Sequence, residues 1–171
     1  MQFQDWFVQS IGFIPSVICF SVLQCDNRRR ILAVQTGCCI LWAIHYGLLG
    51  AWTGVPINLV GIFRSFLCFS NEKDWAKSRF WPCLLIGLYF ASTLLTWNGP
   101  FGLLPFFSMS LTTIGLWTHH MKLTRLLFLF NSPPLIVYNL IVGSYSCAVV
   151  EIFAFLSFII AILRFDVKQR A

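Results

Sequence analysis

Seven apolar stretches, each long enough to cross a bilayer, occupy most of the chain: residues 6–23, 31–52, 55–70, 80–97, 101–118, 126–142 and 147–165. A hydrocarbon core of ~30 Å takes about 20 apolar residues per helix, and fewer where the membrane thins. Hydrocarbon offers no water to backbone N–H and C=O groups, so apolar spans of this kind are helical. The spacing predicts an all-α membrane protein with seven transmembrane helices. Composition agrees, with 58% of residues hydrophobic and 11% charged, where a soluble domain carries roughly 25% charged residues. A soluble chain of this size would lack the polar surface to cover its core. The first stretch has Asp5 rather than a basic segment before it, and no A-x-A-like cleavage site after it, so it reads as a span rather than a removable signal.

The breaks between the stretches alternate in charge. Breaks 25–30, 71–79 and 119–125, with the tail from 164, hold Arg28, Arg29, Arg30, Lys73, Lys77, Arg79, Lys122, Arg125, Arg164, Lys168 and Arg170. Breaks 53–54, 98–100 and 143–146 hold no Lys or Arg, and neither do the residues before Trp6. Eleven of the twelve basic residues therefore fall on one side, leaving Arg64 inside a span. Cytoplasmic loops retain Lys and Arg, which predicts an N-terminus outside and a C-terminus in the cytoplasm. Dropping the short third stretch would put Arg28–Arg30 and Lys73–Arg79 on opposite sides, so the charges support it as a span. The net charge of +6 is scattered among these breaks rather than gathered on one face, which argues against nucleic acid as a partner.

An odd number of spans is explained by an internal echo. Gly12-x-x-Pro15 recurs as Gly102-x-x-Pro105, and His45-Tyr46-x-x-x-Gly50-x-Trp52 lines up with Tyr138-Asn139-x-x-x-Gly143-x-Tyr145. The same register sets Asn58 opposite Glu151. The expected organisation is one membrane domain over 1–171: a first three-helix repeat at 6–70, a linker helix at 80–97, a second repeat at 101–165, and a short cytoplasmic tail at 166–171. Parallel repeats of this kind are a recognised transporter plan.

Polar groups in hydrocarbon are costly unless paired or wetted, so those inside spans mark the candidate site. Glu151 is the one acidic residue well inside a stretch, a candidate for solute binding or proton coupling, or for a structural ion pair. Arg64 lies close to mid-span, and helical side chains lean toward the helix N-terminus, away from the basic side. Snorkelling to the headgroups is its alternative, but the expectation is a partner within the bundle, namely Glu151. Asn58 shares a helix face with Gly61 and Ser65, and His45, Tyr46, Tyr138 and Asn139 add hydrogen-bonding groups to the same half. Pro15, Pro105, Pro133 and Pro134 interrupt spans and are candidate hinges, since a proline removes a helix hydrogen bond.

Nothing points to an enzyme or a cofactor. Adjacent His119 and His120 diverge on a helix and make a poor metal pair, and no H-E-x-x-H, Gly-rich phosphate loop or G-x-S-x-G occurs. The seven cysteines, an odd number without CxxC spacing, read as free thiols.

The run His45-Tyr46-Gly47-Leu48-Leu49-Gly50, then Asn58 and Arg64, then Tyr138-Asn139-x-x-x-Gly143-Ser144, Glu151 and Arg164, resembles the YgjV-type family of bacterial inner-membrane proteins. That family looks related to the SWEET and PQ-loop superfamily. The resemblance implies a 3+1+3, SWEET-like plan with a cavity between two bundles, in which asparagines on the third and seventh helices hold sugar. Asn58 and Glu151 sit on those helices here. Glu151 replaces the second Asn and neither repeat has a Pro-Gln pair, which opens the solute class to amine-bearing or proton-coupled molecules as well as sugars. The expected function is a small-solute carrier of the bacterial inner membrane working by alternating access. Its expected partners are the lipid bilayer, a small polar solute and protons, with no oligomer required. The alternative is a non-transporting receptor or assembly partner with a closed polar core.

Overall fold

A computed structural model of the chain describes residues 2–22, 28–70, 78–118 and 120–163. His119, the Lys73–Lys77 break and the tail from 164, on which part of the charge argument rests, lie outside the described residues. Seven helices follow in order: α1 (Gln2–Val22), α2 (Arg28–Leu48), α3 (Gly54–Phe69), α4 (Phe80–Leu95), α5 (Leu103–Trp117), α6 (Met121–Ile141) and α7 (Tyr145–Ile162), with a 3-10 turn at Pro100–Gly102 ahead of α5. No strand occurs among the described residues. The helices overrun or stop short of the apolar stretches because hydropathy reads apolar character, not helicity. Thus α6 begins five residues before its stretch, while α2 stops at Leu48 and leaves Trp52 exposed in a turn.

Packing divides the helices into two triplets. Within the first, α2 packs on both α1 and α3; within the second, α6 packs on both α5 and α7. The triplets meet along α1–α7 and α3–α5, while α4 packs on α3 and α5. Exchanging α1 with α5, α2 with α6 and α3 with α7 maps each of these contacts onto another, those of α4 excepted, as a two-fold repeat with a linker helix requires.

The turns carry the repeat into the backbone. Gly50 has φ +71° and Gly143 has φ +75°. At the end of α2, Gly50 N–H donates to Gly47 O at 3.1 Å and Ala51 N–H to Tyr46 O at 2.9 Å. Ninety-three positions on (143 − 50), Gly143 N–H donates to Leu140 O at 3.4 Å and Ser144 N–H to Asn139 O at 2.8 Å. Both are the paired bonds of a Schellman cap, which needs a residue with positive φ and so selects glycine. These turns, with the one at 96–99, form an end of the bundle free of Lys and Arg, called here the uncharged end.

The helices bury polar groups beside apolar ones and expose many large apolar side chains, unlike a soluble bundle. On α3 the buried face holds Asn58, Gly61, Arg64 and Ser65, while Leu59, Phe63, Phe66 and Phe69 are exposed. On α7, Val149, Ile152, Phe153, Leu156 and Ile160 form an exposed apolar stripe at helical spacing. Prolines fall unevenly: Pro15 lies inside α1 and Pro133–Pro134 inside α6. Pro105 is the third residue of α5, in the first turn, where the N–H has no intrahelical partner to lose. The hinge expected at Pro105 therefore has no helix hydrogen bond to break.

Candidate functional site

Side chains from the two triplets lock together at the uncharged end. His45 on α2 is fully buried. Its Nδ1 lies 2.8 Å from the Val8 carbonyl and its Nε2 2.7 Å from Ser144 Oγ. A carbonyl only accepts, so Nδ1 carries the proton, and in the neutral ring Nε2 accepts from the serine hydroxyl. Next to it the Tyr46 hydroxyl donates to Asn139 Oδ1 at 2.7 Å, and the Tyr46 ring packs between His45 and Tyr138, with centroid distances of 5.5 and 6.0 Å. The Tyr138 hydroxyl faces the backbone of Gly54 at the start of α3. Each central helix thus reaches across to the turn of the opposite repeat. The four residues expected to line a path, His45, Tyr46, Tyr138 and Asn139, come together as a closed seam.

Gln9 strengthens the seam from α1. Its Nε2 donates to Gly143 O at 2.6 Å and its Oε1 accepts from Ser146 N–H at 3.1 Å, so one amide grips both sides of the α6–α7 turn. The second repeat has no counterpart to this contact, because α5 starts at Leu103 and lacks the turns that α1 has before Gly12. Close approach is also selected: a Cβ on Gly54 would lie 2.6 Å from the Tyr46 ring. Above the seam opens a cavity of about 250 Å³, lined by Trp52, Thr53, Asn98, Phe101, Tyr138 and Val142 among others.

Asn58 and Glu151 lie deeper, but not face to face. Asn58 is buried and its Nδ2 donates to Gly54 O of its own helix at 2.8 Å. Glu151 is half-buried and sits beside the fully buried hydroxyl of Ser132, within electrostatic range of Tyr46 and Cys147. Since α3 packs chiefly on α2, α4 and α5, and α7 on α6 and α1, the central helices stand between the two positions. Several buried polar atoms below the seam lack a well-formed hydrogen bond: Trp42 Nε1, Asn131 Oδ1 and Ser132 Oγ.

Arg64 departs from expectation. It is 3% exposed and is surrounded by Tyr89, Cys39, Cys68 and Met109, with Nη1 3.9 Å from Met109 Sδ. The expected ion pair with Glu151 does not form, because the Arg64 side of α3 looks toward α4 and α5 rather than α7. Among the described residues, no three His, Cys, Asp or Glu gather as a metal site, and Cys38, Cys39, Cys68, Cys83 and Cys147 are not joined in disulfides.

Sequence reading missed Gln9 and Ser132, and it met Ser144 only in the run that carries the family resemblance, without a role. Gln9 was legible as a polar residue inside an apolar stretch, whereas serines are common in membrane helices and turns and carry no signal alone.

No curated protein and no solved structure matches the chain. A family model does match, over residues 6–169, and so takes in every helix from α2 to α7, nearly all of α1, and all the seam and site residues above. The chain belongs to the Imp-YgjV family of bacterial inner membrane proteins.

Proposed function

We propose that this protein crosses the bacterial inner membrane seven times, with its uncharged end outside, and carries a small polar solute by alternating access. The single observation behind this reading is a seam between the repeats, closed by hydrogen bonds at one end, above buried polar groups without well-formed hydrogen bonds. A gate that is shut over a polar interior has this form. Membrane hydrogen bonds between helices are worth only about 0.6 kcal/mol on average, so a few of them hold a closed state without locking it.

Several features support the crossing. The exposed faces of α3 and α7 are apolar, as lipid requires, and Pro100–Trp117 satisfies length and hydropathy for a span by itself. Four further helices carry apolar stretches of 10–17 residues. Two triplets joined by α4 accord with the SWEET-like plan implied by the sequence. In this reading Glu151 binds the solute or a proton beside Ser132, Asn58 takes the equivalent place in the first repeat, and Pro15 and Pro133–Pro134 give α1 and α6 their freedom to bend.

A second reading has an observation in its favour. The seam polar groups satisfy one another, as the closed core of a non-transporting receptor or assembly partner would. Uptake separates the two. Proteoliposomes holding the purified protein should accumulate at least one solute from a panel of labelled sugars and amines above empty liposomes. Equal uptake across the whole panel, in either membrane orientation, favours the closed-core protein.

A further inference from the structure

The geometry points to a binding site for a small monovalent carboxylate, built by Arg64 and Tyr89 between α3, α4 and α5. Arg64 lies ~15 Å along α3 from its N-terminus at 1.5 Å per residue. At that depth a charge without a counter-charge is costly, and buried charges are normally paired. The guanidinium here meets only soft or neutral groups. Its Nη1 has the Met109 thioether at 3.9 Å, its Nε has no partner, and the thiols of Cys39 and Cys68 stand nearby. The Tyr89 hydroxyl belongs to a side chain with 0% exposure and lies close to Arg64 and Thr113, but makes no well-formed hydrogen bond with either. Thr113, equally buried, already donates to Met109 O at 2.8 Å. Glu151, the carboxylate placed inside the described bundle, is elsewhere.

Two donors without a well-formed hydrogen bond therefore lie together, the guanidinium Nε and the Tyr89 phenol, while Nη1 holds only the weak thioether. A carboxylate accepts a charge-assisted bond from a guanidinium N–H and a further bond from a neighbouring hydroxyl. One cationic side chain balances one negative charge, which favours a monocarboxylate over a phosphate dianion. Met109 suits the part of a displaceable plug: its side chain is half-buried, unbranched and flexible, and a thioether is a weak acceptor.

The site requires no transport step, so it stands or falls apart from the carrier reading. The test is thermal unfolding of the full chain in detergent micelles, titrated with acetate, pyruvate, chloride and phosphate at constant ionic strength. Acetate or pyruvate should raise the apparent Tm saturably, chloride and phosphate should not, and Arg64→Gln should lose the response. Tyr89→Phe, which keeps the ring and its packing, should weaken the apparent Kd about tenfold, the value of one hydrogen bond to a charge. Absence of a saturable shift, an equal shift with chloride, or an unchanged response in Arg64→Gln would overturn the assignment. If Arg64→Gln fails to fold, unweakened binding in Tyr89→Phe overturns it alone.

Discussion

Gly12→Ala is expected to destabilise the folded protein by about 2–4 kcal/mol, while the repeat-matched Gly102→Ala leaves it nearly unchanged. The two glycines open the same Gly-x-x-Pro motif but meet different surroundings. A Cβ on Gly12 would lie 2.6 Å from His45 Cε1, 2.8 Å from His45 Nδ1 and 2.6 Å from Ser146 Oγ. The serine hydroxyl can rotate away. The imidazole cannot, because moving it breaks the bonds to Val8 O and Ser144 Oγ and leaves buried polar groups unsatisfied. On Gly102 the nearest atom to a new Cβ is Thr53 Oγ1 at 3.7 Å, an ordinary contact. Thermal unfolding of both variants in the same detergent measures the difference. Equal stability of the two would mean that His45 is not held as a cross-brace.

The second large effect is functional. For a solute taken up by the wild type, Glu151→Gln is expected to reduce uptake by roughly a hundredfold, since losing a charge contact to a desolvated carboxylate costs about 2–5 kcal/mol. Glutamine keeps the shape and the contact with Ser132 and removes the charge, so insertion and purification should be unaffected. Asn58→Ala should do less, because Asn58 Nδ2 is already engaged with the Gly54 carbonyl of its own helix. Wild-type uptake by Glu151→Gln would remove Glu151 from the transport cycle, whatever the solute.

How these residues relate was only partly written in the sequence. Hydropathy located seven helices, and the Gly50–Gly143 echo located two matching turns, because a Schellman turn demands glycine at its positive-φ position. The position of each helix end was less legible: the apolar run through Trp52 continues past a backbone turn that only Gly50 announces. Partner choice was the least legible. Arg64 and Glu151 looked complementary by charge, yet which helices touch depends on the packing of small residues and aromatic rings over the whole bundle. The packing of α3 on α5 instead of α7 is a property of the three-dimensional order of the helices, and no local pattern states it. Gln9 illustrates the converse: a single polar residue in an apolar stretch was visible, but its target in the α6–α7 turn was not.

The central claim is that the seam is a gate over a polar interior. Ser132→Cys, in a background with the native cysteines replaced, tests it without knowledge of the solute. In sealed vesicles of each orientation, a membrane-impermeant maleimide should label Cys introduced at 132 readily from the basic side and slowly from the uncharged side. Breaking the seam with Tyr46→Phe and Asn139→Ala should speed labelling from the uncharged side about tenfold, in line with the loss of a buried hydrogen bond. Labelling from neither side, or a rate from the uncharged side that ignores the seam, would contradict the account and leave a closed core in place of a gate.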